Sequence, residues 1–519
     1  MPEIAALFAT AKEELIPLDG RNKGVIPNWL EGRLIRTGPG MFDLDDFSVN
    51  SYLDGMAMIS KFDIKDGKVT YSQKMLESEA YQRAVAARRP VYAEFGTRAY
   101  PDPNKGFLHR MFSTLVPTDL TDNNVTAMYR IENEVFAASE TCFVHSINPE
   151  TLDKKERVDF NKIAGTMFLS AHPLADADGT VWNIGSSMLT GCKYHVVKIK
   201  PTGSGKAADA LKEAKVVATI SSTWKTCMSY FHTFAMTENY IIFVEQPLLI
   251  NCMKLAQIGI KGKALKDTFE WTPTEKNRIY IIEKDTGNVI KTKFITEDPC
   301  FVLHNINAFE REEQIVLDII AYPNPSCLEK FTLTALRQNE FNNNDLSQTY
   351  RYVIPLVRFV VDITEDENLI TIPEFEGSAV RRGDAVVLKP QSMAEPGLEL
   401  PTINPRYTGR HHRFFYASGT FDTGYYKNAA CKMDIETGKM ALYKTGSRTE
   451  YCGEPTFIPK PDINTDEDDG VVLIPVSSGD ITKPDYLAIL DSKSFQELAR
   501  AEFDTKFVQC LHGTFVPLL

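Results

Sequence analysis

The sequence predicts an all-β chain, and three observations carry that expectation. Short runs rich in β-branched and aromatic residues recur along its length, glycine-centred reversals separate them, and helical periodicity is sparse. Many short antiparallel strands leave exposed edges unless the sheets close. Radial closure into a β-propeller removes most of those edges and leaves an axis on which strands from different blades converge.

Taken in order, Lys65-Asp66-Gly67-Lys68 is the first clear hairpin signal, because a two-residue reversal needs positive φ and glycine supplies it without strain. Asp178-Gly179 repeats the signal. The run YIIFVEQ (240–246) is followed by RIYIIEK (278–284), which runs into a third reversal at Asp285-Thr286-Gly287-Asn288. IVLDIIAY (315–322) and RFVVDIT (358–364) follow as strands, then a reversal at Glu436-Thr437-Gly438, then GVVLIPV (470–476) and YLAILD (486–491). Helical pattern is confined mainly to 205–215 and 326–340. No Ser- or Gly-rich linker divides the chain, so residues 1–519 read as a single domain; no internal repeat is clear enough to give a blade number. The acidic patch Thr465-Asp466-Glu467-Asp468-Asp469-Gly470 lacks the ligand spacing of an EF-hand and reads as a solvated loop.

A hydrophobic fraction of 43% and a charged fraction of 24% fit an ordinary globular chain able to bury a large core. The formal charge of -12 argues against a phosphate-binding surface, and nucleic acid is not an expected partner. Nine cysteines without CxxC spacing suit reduced thiols in a cytoplasmic protein. The N-terminal MPEIAALFATAKEELIPLDG matches neither a signal peptide nor an Arg-rich transit peptide, and no run is long enough to span a bilayer.

Four of the nine histidines share a setting. His172, His232, His304 and His512 lie in FLSAHPL, SYFHTFAM, FVLHNINAF and QCLHGTF, each a lone imidazole in an apolar or aromatic segment. Taken singly, each reads as a hydrogen-bonded core histidine. Four together make a metal plausible, since a buried imidazole needs both nitrogens satisfied and a metal with an acceptor behind the ring does that. Imidazole-only ligation suits iron, copper or zinc rather than magnesium or calcium. The wide sequence separations mean that such ligands meet only through tertiary structure.

The sequence resembles the carotenoid cleavage oxygenase family, specifically the animal branch with its carotene oxygenases, insect isomerooxygenase and vertebrate retinoid isomerase. The matching segments run in order through GRLIRTGPG (32–40), LDGMAM (53–58), EFGT (94–97), SETCF (139–143), AHPL (171–174), YFHTFAMTENYIIFVEQPL (230–248), LHNINAFE (303–310), GLELPTIN (397–404), GEPTFIP (453–459), EDDGVVL (467–473) and LHGTFVP (511–517). The resemblance implies a seven-bladed propeller with a helical cap over the active-site face. It implies Fe(II) on His172, His232, His304 and His512, with Glu140, Glu399 and Glu454 holding ligand rings from behind. Thr126 falls where the family places a small side chain beside the iron; read from its own segment it is a plain strand threonine.

The activity so implied is cleavage of a carotenoid double bond by dioxygen to give aldehydes, with central 15,15′ cleavage to retinal favoured. Eccentric 9′,10′ cleavage to apocarotenals, cleavage coupled to cis-trans isomerisation, a retinoid isomerohydrolase and a non-catalytic carotenoid-binding protein are the alternatives. Segments 247–269 and 107–116 mix apolar residues with basic ones, notably Lys254, Lys261, Lys263 and Lys266, and read either as peripheral membrane contacts or as amphipathic segments packed on the propeller. Two departures from the animal relatives stand out: Asn104 occupies the place of a cysteine, and Ser51-Tyr52-Leu53 replaces a His-aromatic-Phe triplet.

Overall fold

The computed structural model describes residues 3–102, 120–258, 260–340, 346–419, 428–462 and 465–518; Asn104 and the segment 107–116 lie outside the described residues. Seven sheets of four to six strands form the blades. They are built in chain order, and their axis-side strands lie against one another, as His512–Pro517 does against Ala127–Ile131 and Phe301–Arg311 against Leu398–Thr402. A three-stranded and a two-stranded sheet stand apart from the blades.

The ring is closed by both ends of the chain. The C-terminal strand His512–Pro517 pairs with Gly32–Met41 in the first blade, so that blade is completed only by the last residues. Reciprocally, the N-terminal strand Arg21–Gly24 pairs with Glu497–Phe503 at the edge of the seventh. Both pairings use hydrogen-bonding edges that would otherwise face water. The fourth and fifth blades also interlock: a hairpin, Ser378–Arg382 and Ala385–Lys389, leaves the fifth blade's sequence and returns to the fourth, joining Lys293–Thr296 in parallel.

The expected hairpins form where glycine permits them. Asp66 and Gly67 both take positive φ between the strands Met56–Lys65 and Lys68–Met75, the geometry of a two-residue turn whose twist matches its flanking strands. Gly179, Gly287 and Gly438 also have positive φ. Gln314–Tyr322 and Gly470–Ser478 are buried at every position, because each blade is covered on both faces by its neighbours. The expected helical stretches become Ala207–Lys212, and Pro325–Phe331 followed by Leu333–Gln338.

Two expectations are corrected. RFVVDIT is not a strand: Val360–Asp362 is a 3₁₀ turn, with Phe359 and Val361 exposed. The residues facing the core are Val357, Val360 and Ile363, a spacing of three that a 3₁₀ turn satisfies and a two-residue strand alternation does not. The acidic patch is a loop, as expected, but only Asp466 in it is largely exposed. Glu467 accepts the backbone N–H groups of Arg413 and Phe414, while Asp468 and Asp469 pair with Lys432 and Lys460.

Candidate metal centre

The four histidines reach the axis from four blades. His172 follows the strand Phe168–Leu169 of the third, His232 precedes Ala235–Met236 of the fourth, His304 lies within Phe301–Arg311 of the fifth, and His512 opens the closing strand of the first. One ring nitrogen of each falls within 4.8 Å of the others. Nε2 of His172 is 3.0 Å from Nε2 of His232, and Nε2 of His304 is 3.3 Å from Nε2 of His512.

Small hydroxyl side chains hold the ligand-bearing backbones together. Ser170 Oγ donates to the carbonyl of His232 at 2.7 Å and accepts the N–H of His172 at 3.1 Å, joining the third blade to the fourth. Thr233 Oγ1 donates to the Leu303 carbonyl and accepts the N–H of Asn305, joining the fourth to the fifth on either side of His304.

The remaining three blades supply carboxylates. Glu140, in the second, takes the Nδ1–H of His232; Glu399, in the sixth, takes that of His304 at 2.7 Å; Glu454, in the seventh, takes that of His512 at 2.6 Å. Among the described residues no carboxylate lies within ion-pair distance of His172. Each glutamate is itself anchored by a second donor. Tyr230 donates its hydroxyl to Glu140 at 3.0 Å, Tyr322 donates to Glu399 at 2.7 Å, and the Gly513 N–H reaches Glu454 at 2.9 Å, with the buried Arg36 guanidinium 3.9 Å away.

This pattern decides the tautomers. A carboxylate on Nδ1 keeps the proton there, so Nε2 of His232, His304 and His512 presents a lone pair inward. Two such lone pairs 3.3 Å apart, on His304 and His512, repel unless a cation sits between them, and the donor set therefore fits a divalent metal with imidazole preference. Burial, then the neighbouring rings of His512, His232 and His304, hold the pKa of His172 well below its ordinary value, so that ring is neutral and able to ligate. Burial alone would raise the Glu399 pKa, but His304, Tyr322 and the Leu400 N–H outweigh it and hold the carboxyl at about 2.

The backbone beside Glu399 is unusual. Leu400 has φ 52°, a left-handed conformation that is uncommon for a bulky residue, and the pairing of this strand with Phe414–Gly419 slips between Glu399 and Thr402. The bulge lets the Leu400 N–H donate to Glu399 Oε2 at 2.9 Å and brings the Leu400 side chain to the cavity wall.

That cavity, of about 230 Å³, includes His232, His304 and His512 in its wall and is otherwise dominated by apolar side chains, among them the rings of Tyr52, Phe95, Phe168, Phe231, Phe269 and Phe331. Thr126 opens onto it, 3.4 Å from Ser139 Oγ. Ser51, one of the departures from the relatives, caps the turn Tyr52–Asp54 and donates to the Phe331 carbonyl, fastening that turn to the end of the helix Pro325–Phe331.

The segment 247–269 divides. Leu248, Leu249, Ile250, Cys252 and Leu255 are core residues, whereas Met253 and Ile260 stand exposed among the lysines. Leu265 and Phe269 line the cavity. No helix among the described residues is long and apolar enough to cross a membrane.

The sequence signalled the four histidines and, through the resemblance, the three glutamates; the structure brings all seven together. It did not signal Tyr230, Tyr322, Ser170, Thr233 or Arg36. Tyr230 and Ser170 stand two residues before a histidine and Thr233 directly after one, but nothing in that spacing reveals a hydrogen bond.

Comparison with known proteins agrees with this architecture. The chain is 36% identical over 517 residues to β,β-carotene 15,15′-dioxygenase of Rattus norvegicus, covering 98% of this chain and 90% of the rat protein. It is 34% identical over 531 residues to the mitochondrial carotenoid-cleaving dioxygenase of Mustela putorius furo, covering 99% and 97%. Its fold matches cobalt-substituted Synechocystis apocarotenoid oxygenase with a TM-score of 0.78 at 22% identity, over 100% of this chain and 99% of that one. The family model described as RPE65, retinal pigment epithelial membrane protein, matches residues 7–517, and with relatives this similar over nearly its whole length the chain belongs to that family.

Proposed function

We propose that residues 1–519 work as one propeller unit that binds ferrous iron on His172, His232, His304 and His512 and cleaves a carotenoid double bond with dioxygen, giving aldehydes. The observation that carries this is the convergence of four imidazoles, three of them fixed by glutamates, at the wall of an aromatic-lined cavity. Bound iron supplies chemistry by which dioxygen reacts with an alkene to give two carbonyl products without an external reductant. The chain's own residues do the rest. Glu140, Glu399 and Glu454 keep the inner nitrogens unprotonated and add three negative charges around a dication. The aromatic wall excludes water and holds an extended polyene in place. Thr126, small and buried at that wall, leaves room for the reacting bond beside the metal.

Central 15,15′ cleavage to retinal is the favoured reaction, since the rat relative carries that name. Eccentric cleavage is the second reading: the segments 254–265 and 303–310 suit it as well as they suit central cleavage, and the carotenoid-cleaving dioxygenase that is 34% identical has a name that specifies no bond. We place the protein in the cytoplasm, touching membranes peripherally where Met253, Ile260 and the lysines of 254–266 stand near the cavity wall formed by Leu265 and Phe269. The test is incubation of the iron-loaded protein with β-carotene, zeaxanthin and a retinyl ester under labelled oxygen. Labelled retinal from β-carotene is expected. Labelled apocarotenals would shift the reading to eccentric cleavage, and retinol from the ester without any aldehyde would refute the oxygenase.

A further inference from the structure

Outside the metal centre, two thiols meet at one end of the third blade. Cys192 follows the exposed turn 189–191, directly before the strand Lys193–Ile199, and Cys252 opens the short helix Cys252–Leu255. Their Sγ atoms are 3.2 Å apart, about 1 Å more than a disulfide bond of about 2.05 Å. Both are buried, yet each adjoins the surface: Leu189 is 83% and Met253 62% exposed. The helix is also held by the Cys252 N–H bonded to the Thr226 carbonyl at 3.1 Å and by an ion pair between Lys254 Nζ and Glu270 Oε1 at 2.9 Å. A third thiol, Cys227, lies on the strand paired with Leu248–Asn251, opposite Asn251.

We infer that Cys192 and Cys252 form a reversible disulfide that fastens the segment after residue 252 to the third blade. The consequence reaches the cavity, because this segment leads to Leu265 and Phe269 in its wall, where it is also held by backbone bonds from Leu265 and Lys266 to Glu94 and Phe95, by an ion pair from Lys266 to Glu329, and by the pairing of Phe269–Trp271 with Leu248–Asn251. The oxidant is a small-molecule disulfide of the glutathione type. The thiolate of one cysteine attacks it, releasing one thiol and leaving a mixed disulfide; the second cysteine then displaces the other half. The two cysteines together lose two protons and two electrons, and the oxidant's S–S bond is reduced to two thiols. A dithiol reductant reverses the reaction.

The experiment treats the folded, iron-loaded protein with oxidised glutathione, alkylates the remaining thiols after unfolding, and maps the digest by mass spectrometry. Two of the nine cysteines are expected to lose alkylation, appearing in a peptide pair that joins Cys192 to Cys252 and is lighter by two hydrogens than the pair of free thiols. Dithiothreitol restores both. Cys252→Ser abolishes the cross-link and Cys227→Ser does not. Amide hydrogen exchange at 253–258 slows on oxidation and recovers on reduction. Full alkylation of all nine, glutathione left attached to either cysteine, a bond through Cys227, or unchanged exchange would each overturn the inference.

Discussion

At the level of single residues, the proposed metal centre is expected to depend on groups that would not themselves ligate the metal. Glu399→Gln keeps an acceptor for His304 but removes its charge, and iron affinity is expected to fall by roughly 10–100-fold, measured as metal retained after dialysis against a graded chelator. Tyr322→Phe removes only the hydroxyl behind Glu399 and is expected to have a smaller effect in the same direction. His304→Ala removes a ligand outright and should leave no bound iron; normal iron content in that variant would refute the ligand assignment. A different histidine is expected to contribute to acid sensitivity. His412 is fully buried, its Nδ1 accepts from Asn307, and burial pulls its pKa down to about 4. The unfolded chain therefore binds this proton as pH drops below about 6.5 while the folded one does not. Stability present above that value is lost as pH falls towards 4, by about 3 kcal/mol in full. Urea midpoints between pH 7 and 4.5 are expected to fall less steeply for His412→Asn than for the parent, and equal slopes would exclude His412 as the cause.

At the level of elements, the strand Leu398–Thr402 shows how backbone strain is used. Left-handed φ at Leu400 brings its N–H onto Glu399, so the bulge and the carboxylate are set together. Leu400→Ile preserves volume but places a β-branched side chain in that conformation. A loss of about 1–2 kcal/mol in stability is expected, together with weaker iron retention, because the bulge can relax only by moving Glu399. Unchanged retention at reduced stability would separate the bulge from the metal centre. RFVVDIT teaches the complementary lesson. Its composition is that of a strand, but after Pro355 no sheet edge receives it, and residues spaced by three meet the core instead. β-propensity describes fit to a pleated surface, and where no such surface is offered the same side chains pack as a turn.

At the level of the whole molecule, closure makes the two ends of the chain interdependent. Deleting residues 2–24 removes the buried turn Glu3–Phe8 together with Glu14–Asp19 and Arg21–Gly24, uncovering part of the core and the edges of the first and seventh blades while leaving every histidine in place. A lower unfolding temperature is expected, with greater aggregation from the exposed edges, read by calorimetry and light scattering. An unchanged transition would show that the ring holds without its N-terminal strands. His512 ties this closure to chemistry, since the strand that completes the first blade begins with a metal-site residue and lies beside Glu454 of the seventh.

The sequence by itself determined the all-β class, the glycine-centred hairpins and the four candidate histidines, for a physical reason in each case, whereas the three glutamates were legible only through the family resemblance. Strand alternation and positive φ are local properties written in a few consecutive residues, and a lone imidazole in an apolar run is conspicuous because burying it needs partners. The blade number stayed hidden because blades of four to six strands, one of them completed by a hairpin from its neighbour, leave no fixed repeat to detect. Only the tertiary structure decided which glutamate stands behind which histidine, that Tyr230 and Tyr322 anchor two of them, and that Ser170 and Thr233 join neighbouring blades. Those contacts bridge up to 95 residues of chain, and nothing local distinguishes a tyrosine that will meet a carboxylate across the axis from one that will simply fill the core.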